Sequence, residues 1–243
     1  MAVEPKYMTE AQAHAAGLDQ GLRSYMLGVY NYMATALAVT GLFALGLSMM
    51  AVTDGQVNSL GMLLYGSPLK WVIMLAPLGM VFFLSARLHA LQPSTAQVLF
   101  WVYAAMMGMS LSSIFLVYTG ESIARVFFIT AASFGGLSLF GYTTKKNLSG
   151  MGSFLMMGLI GIIIAMVLNI FLESSALHFA ISVIGVLVFA GLTAYDTQQI
   201  KEMYIEGEDS ATVTKKSIMG ALRLYLDFIN LFIMLLSLFG NRE

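Results

Sequence analysis

The chain has no cysteine, which excludes disulfides, thiolate metal sites and a cysteine nucleophile. It is also poor in charge. Only 10% of its 243 residues are charged, against about 25% in an ordinary soluble domain. A formal net charge of −1 leaves no electrostatic footprint for nucleic acid. Histidine is scarce: His14, His89 and His178 lie far apart near expected helix ends and match no metal-ligand spacing. A secretory signal is missing too. Residues 1–23 are mixed polar, with Pro5, His14 and Asp19, and show no basic stretch ahead of a short apolar core. Export is therefore expected to depend on the first membrane helix. What the chain does have is apolar residues, 58% of the total, and such a composition reads as a polytopic membrane protein.

A bilayer-spanning helix needs about 20 mostly apolar residues, and the sequence supplies seven such runs. They cover roughly Ser24–Val52, Leu69–Leu91, Thr95–Tyr118, Ser122–Thr143, Met151–Leu172, Leu177–Ile200 and Gly220–Phe239. The breaks carry turn chemistry at Asp54-Gly55, Gly66-Ser67-Pro68, Gln92-Pro93-Ser94, Thr119-Gly120 and Asn147–Gly150, with a softer one near Glu173-Ser174-Ser175. The expected fold is an all-α integral membrane protein. A polar cytoplasmic segment, residues 1–23, precedes one seven-helix transmembrane domain, residues 24–243. Orientation follows from lysine and arginine placement. Of the 12 such residues, Lys6, Arg23, Arg87, Lys145, Lys146, Lys201, Lys215, Lys216 and Arg223 share one side, and Lys70, Arg125 and Arg242 fall on the other. This bias predicts a cytoplasmic N-terminus and, after seven spans, an external C-terminus.

Two acidic residues interrupt the last two apolar runs. Gly191–Lys201 reads GLTAYDTQQIK and contains Asp196; Leu224–Phe232 reads LYLDFINLF and contains Asp227. A charge in hydrocarbon is costly, so such residues face the bundle interior or water and are functional candidates. Depth counting places Asp196 about one turn, and Asp227 about two turns, from the cytoplasmic end. Arg87 falls at a similar depth. Thr193, Asp196 and Gln199 recur every three residues as a polar stripe. Arg223, Asp227, Asn230, Met234 and Ser237 follow helical spacing on the last helix. Arg223 can pair with Asp227 four residues on, or snorkel to the interface. Asn169, Asn31, Thr35, Ser110, Ser112 and Ser113 read mainly as packing groups. Small residues at four-residue spacing, Ala131 with Gly135 and Ala132 with Gly136, predict close helix approach. The stretch Lys201–Ser217 reads as a solvated loop, since its acids lack the spacing and central glycine of a calcium-binding loop. Asp54, Glu121 and Glu173 come one per outer loop and read as ordinary polar groups.

At GLTAYDTQQI and LYLDFINLF, and in its seven-helix layout, the chain resembles the Bax inhibitor-1 family, also called the transmembrane Bax-inhibitor-motif family, and its polar N-terminus looks like that of bacterial members. The resemblance implies a pH-sensitive, calcium-permeable leak through the bundle. It implies that the aspartate pair, here Asp196 and Asp227, senses protons, and that an arginine on the second helix latches to them. Arg87 is the candidate by helix and depth. Some members carry an acid inside the second helix; Ile73–Leu84 has none here. Two buried carboxyl groups in contact share a proton. A proton arriving on the pair would weaken an arginine contact and release a helix. Oxygen ligands also suit transient contact with calcium near Asp196 and Asp227. No cofactor is implied. The implied partners are the lipid bilayer, calcium and other membrane proteins, and the implied location is a bacterial inner membrane.

Two rival readings remain. One is a membrane-embedded regulator of a partner such as a membrane protease or a stress-response factor, without transport. The other is an intramembrane aspartyl protease, for which Tyr195-Asp196 fits, but Leu224-Tyr225-Leu226 stands where the second motif needs glycine. The last helix has no lysine for a retinal Schiff base.

Overall fold

The computed structural model describes residues 10–53 and 55–242, with side chains from Asp19 onward. Pro5, Lys6, Asp54 and the His14 side chain lie outside the described residues. Seven long helices follow in order: α1 (Glu10–Ala51), α2 (Leu69–Arg87), α3 (Pro93–Leu111), α4 (Gly120–Thr143), α5 (Ser149–Leu172), α6 (Ser175–Glu202) and α7 (Ser210–Phe239). Each is long and apolar enough to cross a membrane. The seven-helix membrane fold expected from the apolar runs is the fold observed.

Helix starts fall where short polar side chains can satisfy free N–H groups. The Thr119 hydroxyl accepts from Ser122 N (3.3 Å), Ser174 from Leu177 N (3.3 Å), and the Asp209 carboxylate from Thr212 N (3.0 Å). Between α1 and α2 the chain makes a small hairpin, β1 (Val52–Thr53) with β2 (Gln56–Val57), turning through Gly55 at φ +74°. A single π-helical turn, Met62–Gly66, follows. Helices α2 and α3 tighten into 3₁₀ turns at Leu88–Ala90 and Ser112–Leu116.

One boundary differs widely from expectation. Lys201–Ser217 was expected to be a loop, but α7 begins at Ser210, ten residues ahead of the apolar run, and the connection shrinks to Met203–Asp209. The first turns of α7 are polar, so hydropathy overlooks them. Tertiary bonds hold them: Lys216 Nζ donates to Met203 O (2.9 Å) and to both Glu208 oxygens (2.5 and 2.7 Å), and Lys215 Nζ donates to His89 O (3.0 Å).

Helix α7 is the axis of the bundle and packs against α1, α3, α4 and α6, while α2 rests on α3 and α5 on α6. At its centre Tyr225 is fully buried between Phe100 and Tyr103, with ring centroids 6.3 and 5.5 Å away. Thr40 donates to Ala104 O (2.9 Å), so the Tyr225 hydroxyl donates to Thr40 (2.6 Å) and ties α7 to α1 and α3.

The close helix approaches are not where the small-residue pattern put them. A Cβ on Gly135 or Gly136 would meet nothing within 4 Å. The tight crossings are at Gly108, where a Cβ would strike the Thr40 carbonyl of α1, and at Gly141, where it would strike the Ala194 carbonyl of α6. Four-residue spacing marks a narrow helix face, but only a facing backbone turns that face into a contact.

The alternating helices gather the larger set of basic residues at one end. There Lys201 Nζ donates to Tyr142 O (2.8 Å), joining α6 to α4. At the opposite end Tyr118 bridges to Arg242, Thr119 N donates to Asn241 O (3.1 Å), and the Arg242 guanidinium lies 5.8 Å from the Tyr118 ring centroid.

Candidate functional site

The antiparallel crossing of α6 and α7 sets Asp196 and Asp227 side by side, close enough for each carboxyl group to act on the other. Asp227 is 5% exposed, and its Oδ2 is buried with no hydrogen-bond donor among the described residues. Asp196 is half-buried. The guanidinium of Arg223, one turn before Asp227 on α7, is close enough to attract both carboxyl groups. The early start of α7 puts Asp227 seventeen residues into that helix, while Asp196 lies six residues from the end of α6. The pair is therefore nearly five turns from the start of α7, at about 3.6 residues per turn, whereas the apolar run alone suggested about two.

Arg87 occupies the last turn of α2 and is exposed. Arg223, on the aspartate's own helix and exposed as well, is the arginine whose charge acts on both carboxyl groups.

The other polar residues singled out in the sequence scatter. Thr193 is buried, but its hydroxyl donates to Phe189 O of its own helix (2.8 Å). Gln199 turns outward and donates to Glu202 Oε2 (3.2 Å). Asn230 donates back to Leu226 O (2.8 Å). Asn169 lies at the opposite end of the bundle and accepts from Ser174 N (3.0 Å), which closes the turn into α6. The stripe of Thr193, Asp196 and Gln199 is thus not one polar surface. An α-helix advances 100° per residue, so every third position drifts steadily around it.

Two of the polar residues that hold α6 in place directly follow Asp196. Thr197 is fully buried and bonds Ser138 of α4 (2.9 Å); Ser138 in turn bonds Tyr30 of α1 (2.7 Å). Gln198 is 5% exposed. Its Oε1 accepts from Leu148 N (2.8 Å), and its Nε2 donates to Lys146 O (2.9 Å), clamping the α4–α5 turn. A polar residue beside a buried acid, on a helix with no room for a second lipid-free stripe, was the available signal. Leu224 and Tyr225, which precede Asp227, are fully buried packing residues.

Comparison with known sequences fixes the family. The family described as inhibitor of apoptosis-promoting Bax1 matches residues 22–243. The chain belongs to that family. The resemblance carried by GLTAYDTQQI and LYLDFINLF is therefore borne out. Among its relatives, a protein of Caulobacter vibrioides is 52% identical over 230 residues, covering 93% of this chain and 92% of the relative. A Rickettsia prowazekii protein is 50% identical over 225 residues, covering 93% and 92%. The inner membrane protein YbhL of Escherichia coli K12 is 46% identical over 225 residues, covering 92% and 94%.

Proposed function

We propose that this family member is a pH-sensitive, calcium-permeable leak in a bacterial inner membrane, with Asp196 and Asp227 as its proton-responsive element. The observation that carries the reading is the pair itself: two carboxyl groups side by side, one of them buried, in helices otherwise apolar enough to span a bilayer. Adjacent carboxyl groups resist carrying two negative charges, so a proton is shared between them. Arg223 supplies the counter-charge. Adding a second proton weakens the arginine's hold and frees α7 to shift against α6, which is a two-state element biased by pH. With Asp227 buried, the present arrangement is the closed one in this scheme. The location follows from the inner-membrane relative YbhL, and the lysine and arginine bias supports a cytoplasmic N-terminus.

Calcium flux into liposomes holding the purified protein tests the proposal. Flux should rise as pH falls, and Asp196→Asn or Asp227→Asn should each flatten that rise. A folded protein whose flux ignores pH and both substitutions sinks the reading. Reporter fusions at the two termini test the orientation; a cytoplasmic C-terminus contradicts it.

A second reading has its own support. The family description names an inhibitor acting on another protein, Bax1. A regulator without transport would show partner capture by the intact protein and no flux in liposomes.

A further inference from the structure

Helices α1 and α4 both pack on α7, and two apolar cavities open between them. Near the basic end one of about 430 Å³ lies between Met26 and Leu27 of α1 and Phe134 and Gly135 of α4; this is the crevice considered below. Toward the other end a second, of about 840 Å³, lies beside Ala38, Leu45 and Phe128. From Arg23 to Leu45, α1 lines one or the other over about 33 Å at 1.5 Å per residue, close to the roughly 30 Å of a bilayer's hydrocarbon core. The glycine at 135 leaves open space here, so the small residues of α4 make room for the crevice and do not seat a neighbouring helix.

The rim at the basic end is positive. Arg23 is exposed, lines the cavity and has no hydrogen-bond or ion-pair partner among the described residues. Lys201 Nζ lies 5.4 Å from the ring centroid of Tyr142, which lines the same mouth. Inside, the polar groups are already engaged: Tyr30 bonds Ser138, and Ser138 bonds Thr197. An occupant must therefore be apolar in its body and anionic at its head. A phospholipid supplies both parts at once, an acyl chain for the apolar lining and a phosphate for Arg23. We propose that this crevice is a binding site for an anionic phospholipid, one acyl chain lying between α1 and α4 and the phosphate at Arg23. Tyr30 and Ser138 line its floor, and Ser138 bonds Thr197, the residue next to Asp196, so an occupant sits one hydrogen bond away from the helix that carries the site.

Photo-crosslinking from the intact protein tests this directly. A benzophenone amino acid at position 135 starts from the lining of the crevice, while one at position 79, an exposed position on α2 where a Cβ meets nothing within 4 Å, reports the surrounding lipid. In nanodiscs of equal phosphatidylglycerol and phosphatidylcholine, adducts at 135 should favour phosphatidylglycerol by about five-fold over those at 79, the scale of one basic residue near a membrane surface. Arg23→Gln should return that ratio to the value at 79. Gly135→Leu puts a side chain into the crevice from a position where a Cβ meets nothing within 4 Å, and it should abolish the phospholipid retained through detergent purification, as counted by native mass spectrometry. Equal ratios at 135 and 79 in the otherwise unaltered protein would overturn the proposal, as would adducts to another protein in place of lipid.

Discussion

Helices α5 and α7 are both apolar enough to span a membrane, yet they meet opposite surroundings. In the most apolar stretch of α5, 11% of residues are buried inside the protein; in that of α7 the share is 61%. By hydropathy the order is reversed, and α5 is the more apolar of the two. In water the greasiest segment goes to the core. In a bilayer the hydrophobic effect does not distinguish lipid from protein, so interior positions go to helices with something to bond or pack. Helix α7 brings Tyr225 for Thr40, Ser237 for His178 and Ser182, and Asp227 for Asp196. Helix α5 presents Phe154, Ile170 and Phe171 outward, each at least 69% exposed.

That contrast is most sharply tested by paired truncations. Tyr225→Ala should leave a cavity among Phe100, Tyr103 and α1 and lower stability by about 3–5 kcal/mol. Phe171→Ala, on the lipid face of α5, should stay within about 0.5 kcal/mol. Thermal or SDS-induced unfolding of both variants in the same detergent decides it. Equal losses would mean that lipid-facing packing matters as much as the helix crossing.

A glycine pair sharpens the same comparison at the level of backbone contact. Gly141→Ala drives a methyl into the Ala194 carbonyl and should destabilise by about 1–3 kcal/mol. Gly136→Ala, five residues earlier with open space around it, should be neutral or gain up to about 1 kcal/mol through helix propensity. The reverse order would put the α4–α6 crossing elsewhere.

How much of this could be read in the sequence depends on what each residue answers to. The seven spans are legible because the bilayer imposes a length, and Asp196 and Asp227 are conspicuous because hydrocarbon penalises charge. The start of α7 is not legible. Ser210–Ser217 is polar in a window, and beyond the Asp209 cap it is the bonds from Lys215 and Lys216 to carbonyls outside the helix that show why it is helix. Thr197 and Gln198 are hidden for a related reason: their partners, Ser138, Lys146 and Leu148, are about fifty residues or more away. That the charge of Arg223 acts on both carboxyl groups needed the packing of α7 against α6, since Arg87 matches the expected depth and charge as well.

The contrast between the two arginines yields the next prediction, smaller in energy than a core truncation. Arg223→Gln should shift the midpoint of the pH response of calcium flux, because it removes the cation beside both carboxyl groups. Arg87→Gln, from an exposed position on α2, should leave the midpoint unchanged. In a double-mutant cycle with Asp227→Asn, only Arg223 should show coupling. Coupling at Arg87 would mean that α2 moves inward in a state other than this one.

The smallest expected effect lies at the water-exposed start of α7, where neither lipid nor core decides. Asp209 caps the helix: its carboxylate accepts from Thr212 N (3.0 Å) and from the Thr212 hydroxyl (2.6 Å). The bonds from Thr212 hold its carboxyl below the usual aspartate range. A lowered folded-state value stabilises the fold above the unfolded value, near 3.9, and that contribution is lost as pH falls through the folded value. The protection of the amides in the first turn of α7, residues 211–214, taken against the intrinsic exchange rate at each pH, should therefore fall below about pH 4 relative to neutral pH. Asp209→Asn keeps a cap that accepts from Thr212 N but cannot titrate, so its exchange should lose this component while staying slow at neutral pH. Asp209→Ala should exchange faster at every pH. The Glu208–Lys216 pair is present in all three proteins, so any acid response common to them belongs to other groups. If the Asn variant shows the full acid response, the fraying is not due to the cap, and the early start of α7 rests on its lysine contacts alone.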